Sequence, residues 1–253
     1  MLQPKKKFKA LMVDCDGTLI LSKQDVLPTS VVTKAIFKAS SLIHVGIATQ
    51  RSFSAYPILK HLKLTGPSII SGGARIIDSQ TLEVLREELI KIDDLNKVIE
   101  IIKNFNKKTI PFFIDDNLEN KKWSKEYVPL KPIAVFIPDL KEEDTDHLRK
   151  ELSVISSISV HKVIPWDGQF GLVVAAAQAT KQHGIFEVAK ILGIKTHEII
   201  GVGDSYNDFP LLMACGLKVA MGNAVDDLKE IADYIAPSVE KDGVADVINK
   251  YIL

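Results

Sequence analysis

Apolar runs in this chain end abruptly at Gly, Asp, Thr or Ser and give way to stretches whose apolar residues recur three and four apart. Five runs stand out: Phe8–Asp16, Leu42–Thr49, Ser68–Gly73, Glu198–Asp204 and Leu217–Asn223. Helical spacing falls over Ser30–Ser40, with Thr29 or Ser30 as the cap, and over Ser54–Leu62, Gly184–Leu192 and Phe209–Ala214. Runs apolar on both faces and alternating with helices predict a parallel sheet covered on both sides, an α/β fold. The stretch 81–177 has another pattern. Helical spacing over 92–108 and 142–155 is interspersed with strand-like pieces at 109–115, 133–138, 157–165 and 170–177. This reads as a compact α+β unit, residues 81–177, inserted into an α/β domain made of residues 1–80 and 178–253.

Composition narrows the class without choosing a function. The 253 residues suffice for one large or two modest domains, and 46% apolar with 25% charged residues is ordinary for a globular chain. Lys+Arg and Asp+Glu both number 32, so no basic field favours nucleic acid or an anionic membrane. The cluster Lys5-Lys6-Lys7 is local and reads as a solvated tail. The two cysteines, Cys15 and Cys215, lack CxxC spacing, which excludes a disulfide framework or a thiolate zinc site. With no signal-peptide pattern and no apolar stretch near the ~18 residues of a membrane span, the expected location is the cytoplasm.

The ends of the apolar runs hold the candidate chemistry. In a doubly wound sheet the loops leaving the C-terminal strand edges converge on one crevice. Asp14 and Asp16 end the first run, Thr49 the second, and Asp204, Asn207 and Asp208 follow the fourth. Lys181 stands where the chain returns from the insertion. Carboxylates gathered in one crevice repel each other unless a cation joins them, and oxygen ligands without His or Cys favour Mg²⁺ over zinc. Such an ion, Lys181 and the Thr49 hydroxyl would cradle a phosphate. Asp14 can then attack phosphorus, while Asp16 protonates the leaving oxygen and later activates water.

The segments DCDGTLI, IATQRS, ATK and GVGDSYNDFPLL resemble, in order, the four motifs of the haloacid-dehalogenase superfamily of phosphohydrolases. SGGARI and the ending VAMGNAVDDLKEIADYIAPSVEKDGVADVI are similar to its Cof-type branch. The resemblance implies a Rossmann-like core with a cap domain inserted between the second and third motifs. It implies Asp14 as nucleophile and Mg²⁺ ligand, Asp16 as general acid/base lending its carbonyl to the metal, and Asp204 as ligand. Thr49 and Lys181 would hold the phosphoryl group, Asp208 would support the metal through water, and Asn207 would lie close to the phosphate. Gln50 stands where the family commonly has Gly, and Gln182 follows the motif lysine where Gly is usual. Gln50 is expected to narrow the pocket or touch substrate, and Arg51 either to reach substrate or to make a surface pair.

The other polar residues have plainer readings. Cys15 should turn into the core between the two aspartates, Thr18 should bond its own turn, and Asn223 should shape a turn without chemistry. The six histidines lack ligand spacing. Trp123 and Trp166 should pack within the cap, and the mixed-charge run Asp115–Glu126 should be exposed. The expected activity is a Mg²⁺-dependent phosphatase acting on small phosphorylated metabolites, sugar phosphates above all, as a monomer or homodimer. A phosphomutase and a non-catalytic phosphometabolite-binding protein are the rival readings.

Overall fold

The computed structural model describes residues 8–21, 27–105, 110–114, 121–122, 129, 131–163 and 170–253. Lys5, Lys6, Lys7, Trp123, Trp166 and most of the mixed-charge run lie outside the described residues. In chain order, β1 (Ala10–Val13), α1 (Ser30–Ser40), β2 (His44–Ile47), α2 (Tyr56–Leu62), β3 (Pro67–Ile70), β4 (Arg75–Asp78) and β5 (Val84–Glu87) come first. There follow α3 (Ile92–Phe105), β6 (Phe112–Ile114), β7 (Lys121–Lys122), β8 (Ala134–Leu140), α4 (Glu142–Leu152), β9 (Ile158–Val163) and β10 (Phe170–Ala176). The chain closes with α5 (Lys181–Leu192), β11 (Ile199–Gly203), α6 (Phe209–Ala214), β12 (Leu217–Ala220), α7 (Asp226–Glu230), β13 (Tyr234–Ile235) and α8 (Gly243–Tyr251).

The elements group into two compact units, Met1–Arg86 with Lys181–Leu253, and Glu87–Thr180. The division falls at 86 and 181 rather than at 80 and 178. Residues 81–86 stay with the first unit because β5 pairs with β4 there.

The first unit is built on a parallel sheet in the order β13-β12-β11-β1-β2. All four residues of β1 and all five of β11 are buried, as strands covered on both faces require. Helix α1 buries Val32, Ala35, Ile36 and Ala39, spaced three and four apart, and Thr29 caps it by accepting from the Val32 amide at 3.2 Å.

The third apolar run departs from the expectation. It touches the parallel sheet at the Ala48–Ile69 bridge, but β3 itself pairs antiparallel with β4 in a separate sheet, β3-β4-β5. The chain reverses at Ser71–Gly73, where Ser71, Gly72 and Gly73 all take positive φ. Two helices also start elsewhere than expected. Residues 53–55 form a separate 3₁₀ turn before α2, and α5 begins at Lys181, three residues before Gly184.

The second unit is α+β. Its sheet runs β7-β6-β8-β10-β9, and the pairings of β6 with β7 and β8, and of β10 with β8 and β9, are antiparallel. Its own core takes Leu95, Val98 and Ile102 from α3, Leu148 and Leu152 from α4, and Val135, Ile137, Leu172 and Val174 from the strands. Among the described residues no helix is long and apolar enough to cross a membrane.

Candidate active site

Asp14 is the first residue past β1, and its amide donates to the Val202 carbonyl of neighbouring β11 at 2.9 Å. The chain then turns at once: the amides of Leu19 and Ile20 return to the Cys15 carbonyl at 2.9 and 3.0 Å. The two aspartates are therefore placed by a turn and not by simple strand alternation. Gly17 has φ +80, and a Cβ built on it would overlap the Asp204 carboxylate. Only glycine meets both demands. Cys15 is buried as expected, and burial, with Asp14 and Asp16 adding to it, pushes its thiol well above the ordinary range.

Asp14 and Asp16 have different partners. The Lys181 ammonium donates to Asp14 Oδ1 and to Asp208 Oδ1, both at 2.6 Å, and the three side chains are almost fully buried. The second Asp208 oxygen accepts from the amides of Asp204 and Ser205, both at 3.0 Å. Asp208 thus bridges Lys181 and the Asp204 loop. Asp16 is instead gripped by Arg51, whose Nε and Nη2 donate to its two oxygens at 2.8 and 2.7 Å. This side of the pair is more open, with the Asp16 side chain 27% exposed. Arg51 thus spends Nε and Nη2 on Asp16, and its side chain is 13% exposed.

Asp14, Asp204 and Asp208 each offer a carboxylate oxygen within 4.8 Å of the others. Three carboxylates against the single Lys181 ammonium leave an excess of two negative charges. The consequence appears in their ionisation. Burial and then Asp208 hold the Asp14 carboxyl well above the ordinary range, and the same causes push Asp204 up to about 7. Burial works against the Lys181 ammonium, but Asp14 and Asp208 outweigh it and raise its pKa above the usual value. An all-oxygen cluster short of two positive charges suits a hard divalent cation.

Thr49 follows β2 and is buried; its amide donates to Ile69 O at 3.0 Å and its hydroxyl accepts from the Arg51 amide at 3.1 Å. The turn after β3 locks onto this loop, with Gly72 N donating to Thr49 O at 2.9 Å and Ser71 N to Arg51 O at 2.8 Å. The Gln50 carboxamide lies directly over Gly72, close enough to fill the place of a Cβ there. Asn207 is half-buried in the 3₁₀ turn Tyr206–Asp208, and Gln182 is half-buried on the first turn of α5.

Two residues have larger roles than their sequence context suggested. Thr18 Oγ1 donates to Asp204 Oδ1 at 2.8 Å, tying the first carboxylate loop to the one after β11 rather than bonding its own turn. A hydroxyl two residues beyond Asp16 was the available signal. Asn223 reaches from the loop after β12 to donate to the Gly17 carbonyl at 2.8 Å.

A family model described as haloacid dehalogenase-like hydrolase matches residues 11–129 and 115–248. The 5-amino-6-(5-phospho-D-ribitylamino)uracil phosphatase YcsE of Bacillus subtilis is 27% identical over 258 residues, covering 97% of this chain and 96% of the relative. Phosphoglycolate phosphatase 1 of Saccharolobus solfataricus is 26% identical over 251 residues, covering 97% and 96%. Among solved structures, a haloacid dehalogenase-like hydrolase from B. subtilis superposes with a TM-score of 0.83 at 19% identity, covering 96% of this chain and 99% of that one.

Proposed function

The chain belongs to the haloacid dehalogenase-like hydrolase family, and for this phosphatase of the Cof-type branch we propose hydrolysis of small phosphorylated metabolites through an aspartyl-phosphate on Asp14. The observation that carries this reading is the division of labour between two carboxylates two residues apart. Asp14 is buried and fixed by Lys181, which suits a nucleophile held in line. Asp16 is partly exposed and held by a partner it can leave, which suits proton transfer.

In the first half-reaction an Asp14 oxygen attacks phosphorus and the bond to the leaving oxygen breaks, as Asp16 supplies the proton that oxygen needs. In the second, Asp16 takes a proton from water, which displaces phosphate from Asp14. Asp16 exchanges with Arg51 to do this, and a substrate phosphate offers the guanidinium a replacement anion. Lys181 has three N–H donors and spends two on Asp14 and Asp208, so one remains for a phosphoryl oxygen. The Thr49 hydroxyl and Asn207 border the same loops, and Gln50 offers an amide to substrate.

The residues fit Mg²⁺: Asp14 and Asp204 with carboxylate oxygens, Asp16 with its carbonyl, and Asp208 behind them. When bound, the ion would offset the negative charge of the phosphoryl group and of the carboxylates around it.

The relatives' names point to phosphorylated metabolites as small as phosphoglycolate and as large as a phosphoribitylamino-uracil. Sugar and sugar-alcohol phosphates are our first choice within that range. Two free, buried cysteines agree with a cytoplasmic enzyme, working as a monomer or homodimer.

The test is p-nitrophenyl phosphate hydrolysis with Mg²⁺ and with EDTA, followed by phosphate release from a panel of phosphorylated metabolites. Asp14→Asn is expected to lose more than about 1,000-fold in kcat. Turnover equal to wild type in that variant would sink the mechanism. Phosphate transferred to a sugar instead of water would make the enzyme a mutase.

A further inference from the structure

The loop after β12, Met221–Val225, reaches both carboxylate-bearing loops of the site. Met221 N donates to Gly203 O and Val225 N to Asp204 O, both at 3.0 Å, so the loop follows the backbone on either side of Asp204. Asn223 makes the link to the other loop. Its Nδ2 donates to Gly17 O at 2.8 Å, while its Oδ1 accepts from Val239 N at 2.9 Å.

Gly17 is the residue packed against the Asp204 carboxylate with no room for a Cβ. Its amide is already fixed to Ile20 O at 2.8 Å, so the Asn223 bond fixes its other polar group. The Gly17 peptide sits one residue after Asp16 and one before Thr18, the side chain that bonds Asp204. Its tilt therefore sets how the Asp14–Asp16 turn faces Asp204.

Asparagine suits the place chemically. The site needs a donor toward Gly17 O and an acceptor toward Val239 N on one short side chain, and a carboxamide supplies both. Aspartate keeps the acceptor and loses the donor; alanine loses both.

We propose that Asn223 is a positioning residue. By clamping the Gly17 carbonyl to the segment at Val239, it sets the spacing between the Asp14 and Asp204 loops and so the affinity of the site for a divalent ion. The inference rests on the reading of Asp14 and Asp204 as ion ligands. Partners standing behind metal ligands commonly contribute 10–100-fold to affinity or activity.

The measurement is Mg²⁺ binding by titration calorimetry, without substrate, on wild type and Asn223→Asp, beside kcat, KM and Tm. The variant is expected to bind Mg²⁺ about 10-fold more weakly and to lose about 10-fold or more in kcat, with KM within about 3-fold. Asn223→Ser, small and uncharged, replaces it should Asn223→Asp not fold. Unchanged Mg²⁺ affinity in the folded variant overturns the proposal whatever happens to Tm, because a purely structural amide would lower Tm alone. A wild-type protein that neither binds Mg²⁺ nor turns over p-nitrophenyl phosphate would overturn the underlying reading as well, which separates the two failures.

Discussion

Asp14 and Asp204 carry the electrostatic cost of the site, and that cost has a pH signature. Burial first, and Asp208 second, raise both carboxyls above their ordinary values, Asp204 to about 7 from 3.8. Between about pH 4 and 7 the metal-free folded protein therefore holds protons that the unfolded chain has released. Stability falls as pH rises through that window as Asp204 ionises, and the raised Asp14 carboxyl adds to the loss in the same direction. A divalent ion held by the ionised pair, as proposed, would oppose the loss. The rise in Tm on adding saturating Mg²⁺ should be small near pH 4.5 and largest near pH 8, followed by thermal unfolding at matched ionic strength. An equal rise at both ends would mean the ion does not sit on these carboxylates. Arg51 is the instructive residue at this scale: its basic character was legible, but its bidentate hold on Asp16 depends on the turns after β1 and β2 coming together.

At the scale of elements, helix α5 delivers Lys181 to Asp14, and its seat decides where the ammonium lies. Gly184, one turn along, meets β3: a Cβ there would stand 2.8 Å from Ile69 Cδ1 and 3.0 Å from Ile69 Cγ2. The nearest atom is the end of the Ile69 side chain, but Cγ2 sits on the branch carbon of a fully buried residue, so Gly184→Ala requires Ile69 to shift by a few tenths of an ångström. The gain of about 1 kcal/mol in helix propensity offsets much of the crowding. Gly184→Val adds branches that Ile69 cannot clear. It should cost about 1–3 kcal/mol and lower kcat at least 10-fold by lifting Lys181, as overpacking does. Urea midpoints and p-nitrophenyl phosphate turnover test this, and a valine variant as active as the alanine one would refute it. The expected helix began at Gly184 itself, because apolar periodicity starts only there; Lys181 at the true start is buried through its ion pair, which periodicity does not register. The third apolar run was legible as a strand but not as a member of a separate hairpin sheet, since burial looks alike in both.

For the whole molecule, two separate cores predict two separable unfolding events. Both tryptophans, Trp123 and Trp166, fall within the sequence range 87–180, whereas the buried thiols Cys15 and Cys215 belong to the first unit. Tryptophan fluorescence and thiol reactivity in urea should therefore report different units. Mg²⁺ should raise the midpoint for thiol exposure and leave the fluorescence midpoint in place, because a ligand stabilises only the unit that binds it. Equal shifts in both signals would show that the chain unfolds as one cooperative body.

Residue order alone foretold which polar residues follow the buried strands β1, β2 and β11, and with that the α/β class. Burying both faces of a strand demands an unbroken apolar run, so polar chemistry has to sit where the run stops. Tertiary structure alone decided who pairs with whom. Lys181 reaches Asp14 across 167 positions, Thr18 reaches Asp204 across 186, and Asn223 reaches Gly17 across 206. Apolar periodicity is a local property of the chain, whereas a hydrogen-bond partner is set by strand order and by the tilt of turns on neighbouring strands. Those are properties of the packed sheet, and no window of residues contains them.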